Sequence, residues 1–494
     1  MSDRIPVEMY FLRDSEAGTL QARLAAAIIR AILETRARPG TRLPSTRGLA
    51  ESLGLSRMTV TLVYQELISQ GYLETRPRSG VMVAATVPHR RLRAARSLPG
   101  QTALDWDRWL AGEVPRQRVI RKPSNWQDFR YPFIYGQSDA ALFDHNAWRD
   151  CARRAWGTRD FGELASDLYG ADDPMLIDYI CSHSLPRRGI QAEPDEVLVT
   201  LGAQNALFIA IELLARGDRL AVTEDPGYPD FAETLRRANS PTTFLTVDEG
   251  GLNPELLPQD TRLVIVTPSH NIPTGATMPL PRRRDLLARA AAQDFLIIED
   301  DYDFEMSYLA PPAPALKSLD HNGRVIYIGS FSKSLFPGLR IGYMVAPKPF
   351  IARARALRAI MLRHPPNHLQ RITAYFLALG HYDAHIVRLR GALKRRRALM
   401  EDALAATPLR IAGAARSGGS SLWIEGPVGI DSGALAARLL DDSVLIEPGE
   451  VFFETPPVPC PFFRLGYSSI RDGDIAAGIG LIARRAGELA EHAA

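Results

Sequence analysis

Few side chains in this protein can act as amines, and one of them is placed for chemistry. The chain has five lysines, Lys122, Lys317, Lys333, Lys348 and Lys394, while arginine serves the surface. Lys333 lies in Ser330-Phe331-Ser332-Lys333-Ser334-Leu335, directly after an apolar run. An amine at a strand end among hydroxyls is a candidate Schiff-base lysine, because a carbonyl cofactor needs a positioned nucleophile. A surface lysine after a strand is the plainer reading. A second apolar run, Ile297-Ile298-Glu299-Asp300-Asp301-Tyr302, ends in acids and a phenol. Such strand ends are where open α/β sheets take ligands. Asp300 can keep a pyridinium nitrogen protonated, and Tyr302 can donate to a ring oxygen. Leu201-Gly202-Ala203-Gln204-Asn205 follows another strand and opens a helix, which makes a backbone site for an anion. Ser330, Ser332 and Arg340 add donors to that anion. Tyr228, in Asp225-Pro226-Gly227-Tyr228, can set an aromatic face against a ring. Alone, Tyr228 reads as a core aromatic and Gly202 as a helix-entry turn. Together, in this order, they describe the site of one phosphorylated, ring-bearing cofactor.

Positioning these groups requires a sheet. Seven short apolar runs read as strands: 196–200, 219–224, 242–247, 263–267, 295–300, 325–330 and 341–346. They alternate with helical stretches, so the body is an α/β fold with a sheet covered on both faces. From about 350 onward helices dominate, with strand-like pieces near 420–424 and 462–466, a pattern that predicts a smaller C-terminal α+β lobe.

The first segment has a different character. Residues 1–96 hold 15 arginines, no lysine and eight acids, a balance of +7 within a net charge of +3. The rest of the chain is therefore mildly acidic, and an anionic partner is expected for the N-terminal segment alone. Thr19, Ser45 and Ser56 can cap three helices. Gly54 turns between the second and third, and residues 72–83 read as a two-strand wing around Pro77-Arg78-Ser79-Gly80. The physical reading of 45–70 is a helix–turn–helix that places Ser56, Arg57 and Thr59 at bases and phosphates. Arg42, Ser45, Thr46, Arg47, Arg76 and Arg78 join them as DNA contacts, the arginines on phosphate. A small interaction domain with a solvated basic face is the bland alternative.

Composition excludes other classes. Apolar residues make up 46% and charged residues 23%, which does not fit a largely disordered chain. No run of about 20 apolar residues exists, so no membrane span is expected. Met1–Pro6 shows no apolar signal region. The three cysteines, Cys151, Cys181 and Cys460, are far apart, which argues against a disulfide framework or a metal site and fits the cytoplasm.

Pro39-Gly40-Thr41-Arg42-Leu43-Pro44-Ser45-Thr46-Arg47, Leu55-Ser56-Arg57, Thr59-Val60 and Gly71-Tyr72-Leu73 resemble the winged helix of GntR-type bacterial regulators. The body, through the Lys333, Asp300, Tyr302 and Arg340 set, resembles fold type I aminotransferases. The whole chain is thus similar to MocR-type regulators, which fuse the two. The resemblance implies a winged helix-turn-helix domain at 1–85, a linker at 86–125 and a pyridoxal 5'-phosphate domain at 126–348. It adds a C-terminal lobe at 349–494 and implies a homodimer. Two tryptophans of the linker, Trp106 and Trp109, are expected to anchor part of it on the body. Carried over, Lys333 forms the internal aldimine, Asp300 pairs with the ring nitrogen, Tyr302 bonds the ring hydroxyl and Tyr228 stacks. Ala203, Gln204, Ser330, Ser332 and Arg340 hold the phosphate, Tyr169 reaches a phosphate across a dimer interface, and Asn271 joins the cofactor set. Arg464 in Phe463-Arg464-Leu465-Gly466 matches an arginine that grips a substrate acid group.

The chain also departs from the aminotransferase pattern. Ile272 stands where aminotransferases carry Asn before Pro-Thr-Gly, a change expected to lower catalysis without abolishing binding. Asp230 stands where some relatives have an arginine for an effector carboxylate. The effector is then expected to carry one acid group and a second amine, or a sulfonate. Asp172-Asp173-Pro174-Met175-Leu176 and Arg363-His364-Pro365-Pro366-Asn367-His368 resemble a branch controlling taurine or ectoine use. The leading expectation is a transcriptional regulator that senses an amine by external aldimine formation, with residual half-transamination at most. An active aminotransferase with a DNA-binding arm is the alternative. A body that serves only for dimerisation is disfavoured by the intact cofactor set.

Overall fold

The computed structural model describes residues 19–34, 36–77, 79–86, 105–110, 118, 120, 122–168, 170–215 and 217–493. The chain divides into two compact units, Met1–Gly112 and Glu113–Ala494.

In the N-terminal unit, hydroxyl caps set the helix starts. Thr19 accepts from the amide of Ala22 at the start of the helix Leu20–Leu33. Ser45 accepts from Gly48 ahead of Thr46–Leu53, and Ser56 from Thr59 ahead of Arg57–Ser69. Each such cap contributes about 1 kcal/mol. Gly54 ends the second helix at φ 64°, a left-handed position that favours glycine. Leu24, Ile28, Leu49, Val60, Val63 and Leu67 are almost fully buried in one core. The wing is the hairpin β1 (Leu73–Arg76) and β2 (Gly80–Val83), in register Leu73↔Val83.

The second unit opens with a short strand, β3 (Tyr131–Pro132). The seven expected runs then appear as β4 (Val197–Thr200), β5 (Leu220–Asp225), β6 (Thr242–Thr246), β7 (Thr261–Val266), β8 (Leu296–Asp301), β9 (Val325–Ser330) and β10 (Gly342–Val345). They form one sheet in the order β4-β10-β9-β8-β7-β5-β6. Only β10 runs against its neighbours β4 and β9; the others are parallel. Apolar clusters pack on both faces, which is why strands such as β4 and β9 are buried along their whole length.

Beyond 348 come helices, the longest being His381–Ala405. The remaining strands are β11 (Arg410–Ile411), β12 (Ser421–Glu425), β13 (Val444–Leu445), β14 (Glu447–Pro448) and β15 (Phe462–Gly466). Four of them form an antiparallel sheet, β11-β12-β15-β14.

Trp106 and Trp109 are 60% and 70% exposed. The chain packs later, where Ile120 lies against Tyr135, Ile272 and Tyr302. The first residues of the segment expected as the large domain pack with the C-terminal lobe. β3 pairs with β13, and Tyr131 and Phe133 are buried in the core of the C-terminal lobe, because their apolar faces match Leu465, Ile475 and Ile479 there. No helix of the described residues is long and apolar enough to cross a membrane.

Candidate functional site

The C-terminal ends of the body strands converge on one cavity of about 130 Å³. Asp300 is the penultimate residue of β8, Ser330 ends β9, Tyr228 follows β5, and Gly202 follows β4. β8 and β9 are parallel neighbours, so Asp300 and the Ser330–Lys333 turn emerge side by side. The cavity wall contains Ala203, Gln204, Tyr228, Asp300, Tyr302, Ser330, Ser332, Lys333, Arg340 and Arg464, all expected from sequence, together with Tyr135, Leu207, Ile272 and Pro337.

Burial gives these groups unusual proton affinities. The Lys333 amine is driven down to about 7 by burial, then by the charges of Lys122 and Arg464. The Asp300 carboxyl is driven up to about 8 by burial, then by Asp301 and Asp303, against the pull of Lys333. One Asp300 oxygen, Oδ1, and the Ser332 hydroxyl are buried without a hydrogen-bond partner. Buried polar atoms are rarely left so, and these two fit a ligand that donates to the carboxylate and accepts from the hydroxyl. The Tyr302 hydroxyl donates to the carbonyl of His270 at 3.0 Å, and burial pushes it well up. Tyr228 donates to Asp230 at 2.8 Å, which fixes its ring at the cavity edge.

The anion end is built on a glycine. Gly202 has φ +78°, and a side chain there would meet the Arg340 guanidinium at 3.1 Å. Arg340 donates to the Leu201 carbonyl at 3.1 Å, and the Ser330 hydroxyl accepts from the Ser332 amide at 3.1 Å. These donors surround the start of the helix Gly202–Leu214, whose first amides have no partner within the helix.

Asn271 does not join them. Its side chain accepts from Thr274 at 2.6 Å inside the turn that Gly275 closes, and Ile272 takes the place in the cavity wall. Tyr169 and Arg78 lie outside the described residues.

Sequence reasoning missed three groups. Tyr135 lies between two cations, with Lys333 Nζ 4.6 Å and the Arg464 guanidinium 4.3 Å from its ring centre. Glu447 is buried and accepts from Arg464 Nε at 2.7 Å. Burial would raise its carboxyl, but the charges of Arg464 and Lys122 hold it below the ordinary range. Lys122 pairs with Glu447 at 3.3 Å and donates to the Tyr135 carbonyl. Lysine scarcity was the one signal for Lys122; nothing local marked Glu447.

On the N-terminal unit the expected DNA contacts sit at the helix Arg57–Ser69 and the wing. Arg57 is exposed in the first turn. The Ser45 and Ser56 hydroxyls are engaged as caps, and Ser56 also bonds the Thr59 hydroxyl at 2.7 Å. Arg47 pairs with Glu51 at 3.0 Å and Arg76 with Glu74 at 2.7 Å, both in solvent. Thr46 opens the second helix, and Arg42 bridges Met82 of the wing.

Residues 20–83 match the family of bacterial regulatory proteins, gntR family, and residues 170–478 match Aminotransferase class I and II. The HTH-type transcriptional regulator TauR of Rhodobacter capsulatus is 51% identical over 97% of this chain and 99% of its own. The probable rhizopine catabolism regulatory protein MocR of Rhizobium meliloti is 34% identical over 73% of this chain and 72% of its own. The chain is a MocR-type transcriptional regulator. Among solved structures, LysN, an α-aminoadipate aminotransferase of Thermus thermophilus complexed with N-(5'-phosphopyridoxyl)-L-leucine, superposes with a TM-score of 0.70. It is 24% identical and covers 79% of this chain and all of its own, which establishes the shared fold of the regulator's body. The MocR-type regulator therefore joins a GntR-type DNA-binding unit to an aminotransferase-like α/β body.

Proposed function

We propose that this regulator binds pyridoxal 5'-phosphate in the strand-end cavity and uses it to sense a small amine that carries one acid group. The observation that supports this best is the unpartnered Asp300 oxygen in the same cavity wall as Lys333. A buried carboxyl oxygen without a partner and a buried amine driven down to about 7 suit the two ends of a pyridinium–aldehyde ring, whose positive nitrogen would favour the carboxylate. When bound, the cofactor supplies an aldehyde that Lys333 and an incoming amine can occupy in turn. Asp300 holds the ring nitrogen, Tyr302 the ring hydroxyl, and Tyr228 one ring face. Ala203, Gln204, Ser330, Ser332 and Arg340 hold the phosphate. In a homodimer, Tyr169 reaches the partner's phosphate. Arg464 orients the effector's acid end. Asp230, tied up by Tyr228, offers no second site for an acid, which favours an effector with one such group, as in the taurine- or ectoine-use branch. The DNA contacts are Arg57 on bases and Arg42, Arg47, Arg76 and Arg78 on phosphate, with Thr46, Thr59 and the cap serines beside them.

A second reading, an active aminotransferase, is favoured by the depressed Lys333 amine, which suits proton transfer. One experiment separates them. Borohydride treatment of the purified protein, followed by peptide mapping, is expected to find the cofactor fixed on Lys333. Operator binding is then measured with and without an amine effector, alongside turnover with a keto acid. An effector-dependent change in DNA binding with little or no turnover supports the sensor. Rapid turnover with no change in DNA binding supports the enzyme.

A further inference from the structure

The cofactor set leaves one buried charge cluster without a task. Lys122 Nζ lies 3.9 Å from the point where a side chain at Gly136 would begin, and Lys333 Nζ is nearer still to that point. After burial, Lys122 is the foremost influence that lowers the Lys333 amine. Glu447 offers one oxygen to Lys122 and the other to Arg464. A single carboxylate, Glu447, thus pairs with two cations, one more than it can neutralise, while the Lys333 amine alongside also feels Asp303. The donors tell the same story. An ammonium has three and a guanidinium five. Lys122 spends one on the Tyr135 carbonyl and one on Glu447, which leaves one. Glu447 takes the Nε of Arg464, and among the described residues no other hydrogen bond forms to that guanidinium, which lines the cavity.

We propose that Lys122 is a specificity-determining residue of the effector site. With Arg464 it supplies a second positively charged donor to the effector's acid end, and Glu447 positions the pair. The assignment rests on the sensor reading above. An amine without an acid leaves these donors without a partner on the effector, and a site built for a polar group discriminates strongly against analogues that lack it.

Three two-carbon amines test it on the full-length, cofactor-loaded protein: taurine, β-alanine and ethanolamine. Binding is read by absorbance titration and, independently, by the change in operator affinity. Lys122→Met is expected to weaken taurine and β-alanine by about tenfold or more. Ethanolamine is expected to stay within about twofold, since no charge-assisted bond is lost. Lys122→Gln keeps a donor for the Tyr135 carbonyl without the charge, so it serves if the methionine variant misfolds, with the same expected selectivity loss. An equal loss for all three amines makes Lys122 a structural strut of Glu447 and overturns the proposal, as does no loss for any. If the wild-type protein binds none of the three, the sensor reading falls and this assignment falls with it.

Discussion

The helix Arg57–Ser69 and the strand-end cavity both depend on cations, yet they hold them in opposite ways. Arg57, Arg47 and Arg76 stand in water, two of them against acids on the same surface. Lys333, Lys122 and Arg464 are withdrawn from water and share one carboxylate, Glu447. Exposed charge is screened by salt and tolerant of substitution. Desolvated charge is neither, because each member is stable only while its partners remain. The DNA-reading unit can therefore vary its contacts one at a time, whereas the cavity must be changed as a set.

Substitutions can sharpen or break this contrast. The largest effect is expected from Lys333→Ala, which abolishes borohydride fixation of the cofactor altogether while the far-ultraviolet circular dichroism stays that of the folded chain. Glu447→Gln leaves Lys122 and Arg464 buried with no counter-charge, and urea denaturation should show a loss of about 3–5 kcal/mol. Its exposed counterpart, Glu74→Gln opposite Arg76, should cost about 0–1 kcal/mol in the same assay. Comparable costs for the two would remove the distinction drawn here.

The cavity should also respond to pH where the surface does not. In the cofactor-free protein Asp300 titrates near 8, far above an unfolded carboxyl near 4. Between those values the folded state binds the extra proton, so stability from this group is present at low pH and lost as pH rises from about 4 to about 8. Thermal midpoints of cofactor-free wild type and Asp300→Asn, compared across that window, should diverge toward high pH in favour of the variant; divergence in favour of the wild type would reverse the sign. Smaller effects belong to the helix face. Arg57→Ala should reduce discrimination at one base pair by about 1–3 kcal/mol in competition binding. Arg76→Ala should weaken all sequences alike and lower the salt slope by roughly one.

The sequence made one of these regions easier to read than the other. Caps at Thr19, Ser45 and Ser56 are local, each satisfied within three residues, so the winged helix could be laid out from pattern alone. The seven strands were equally legible, because burial on both faces demands continuous apolar runs. Lys333 and Asp300 were found because each ends or follows such a run, and Arg340 because it directly precedes one. A side chain inside a tight turn and one in a cavity wall look alike in sequence; the structure places Asn271 in the turn, bonded by Thr274, and Ile272 in the wall. Glu447 and Tyr135 were invisible because they meet each other across 312 residues of chain. Lys122 was hidden by its place at the end of a proline-containing segment that reads as linker.

The position of β10 has a consequence in time. Gly202 follows β4 and Ser330 ends β9, and β10 is the strand that joins those two in the sheet. The phosphate site proposed above therefore cannot be assembled until Gly342–Val345 has been synthesised. The wing, complete at Val83, pairs β1 with β2 and packs in the core of the N-terminal unit. Ribosomes add about 5–20 residues per second, so a nascent chain carries its winged helix for roughly 13–50 s before the strand-end cavity can be assembled. During that interval the young regulator has a reader without the site proposed to inform it, and the cell meets it as a different protein.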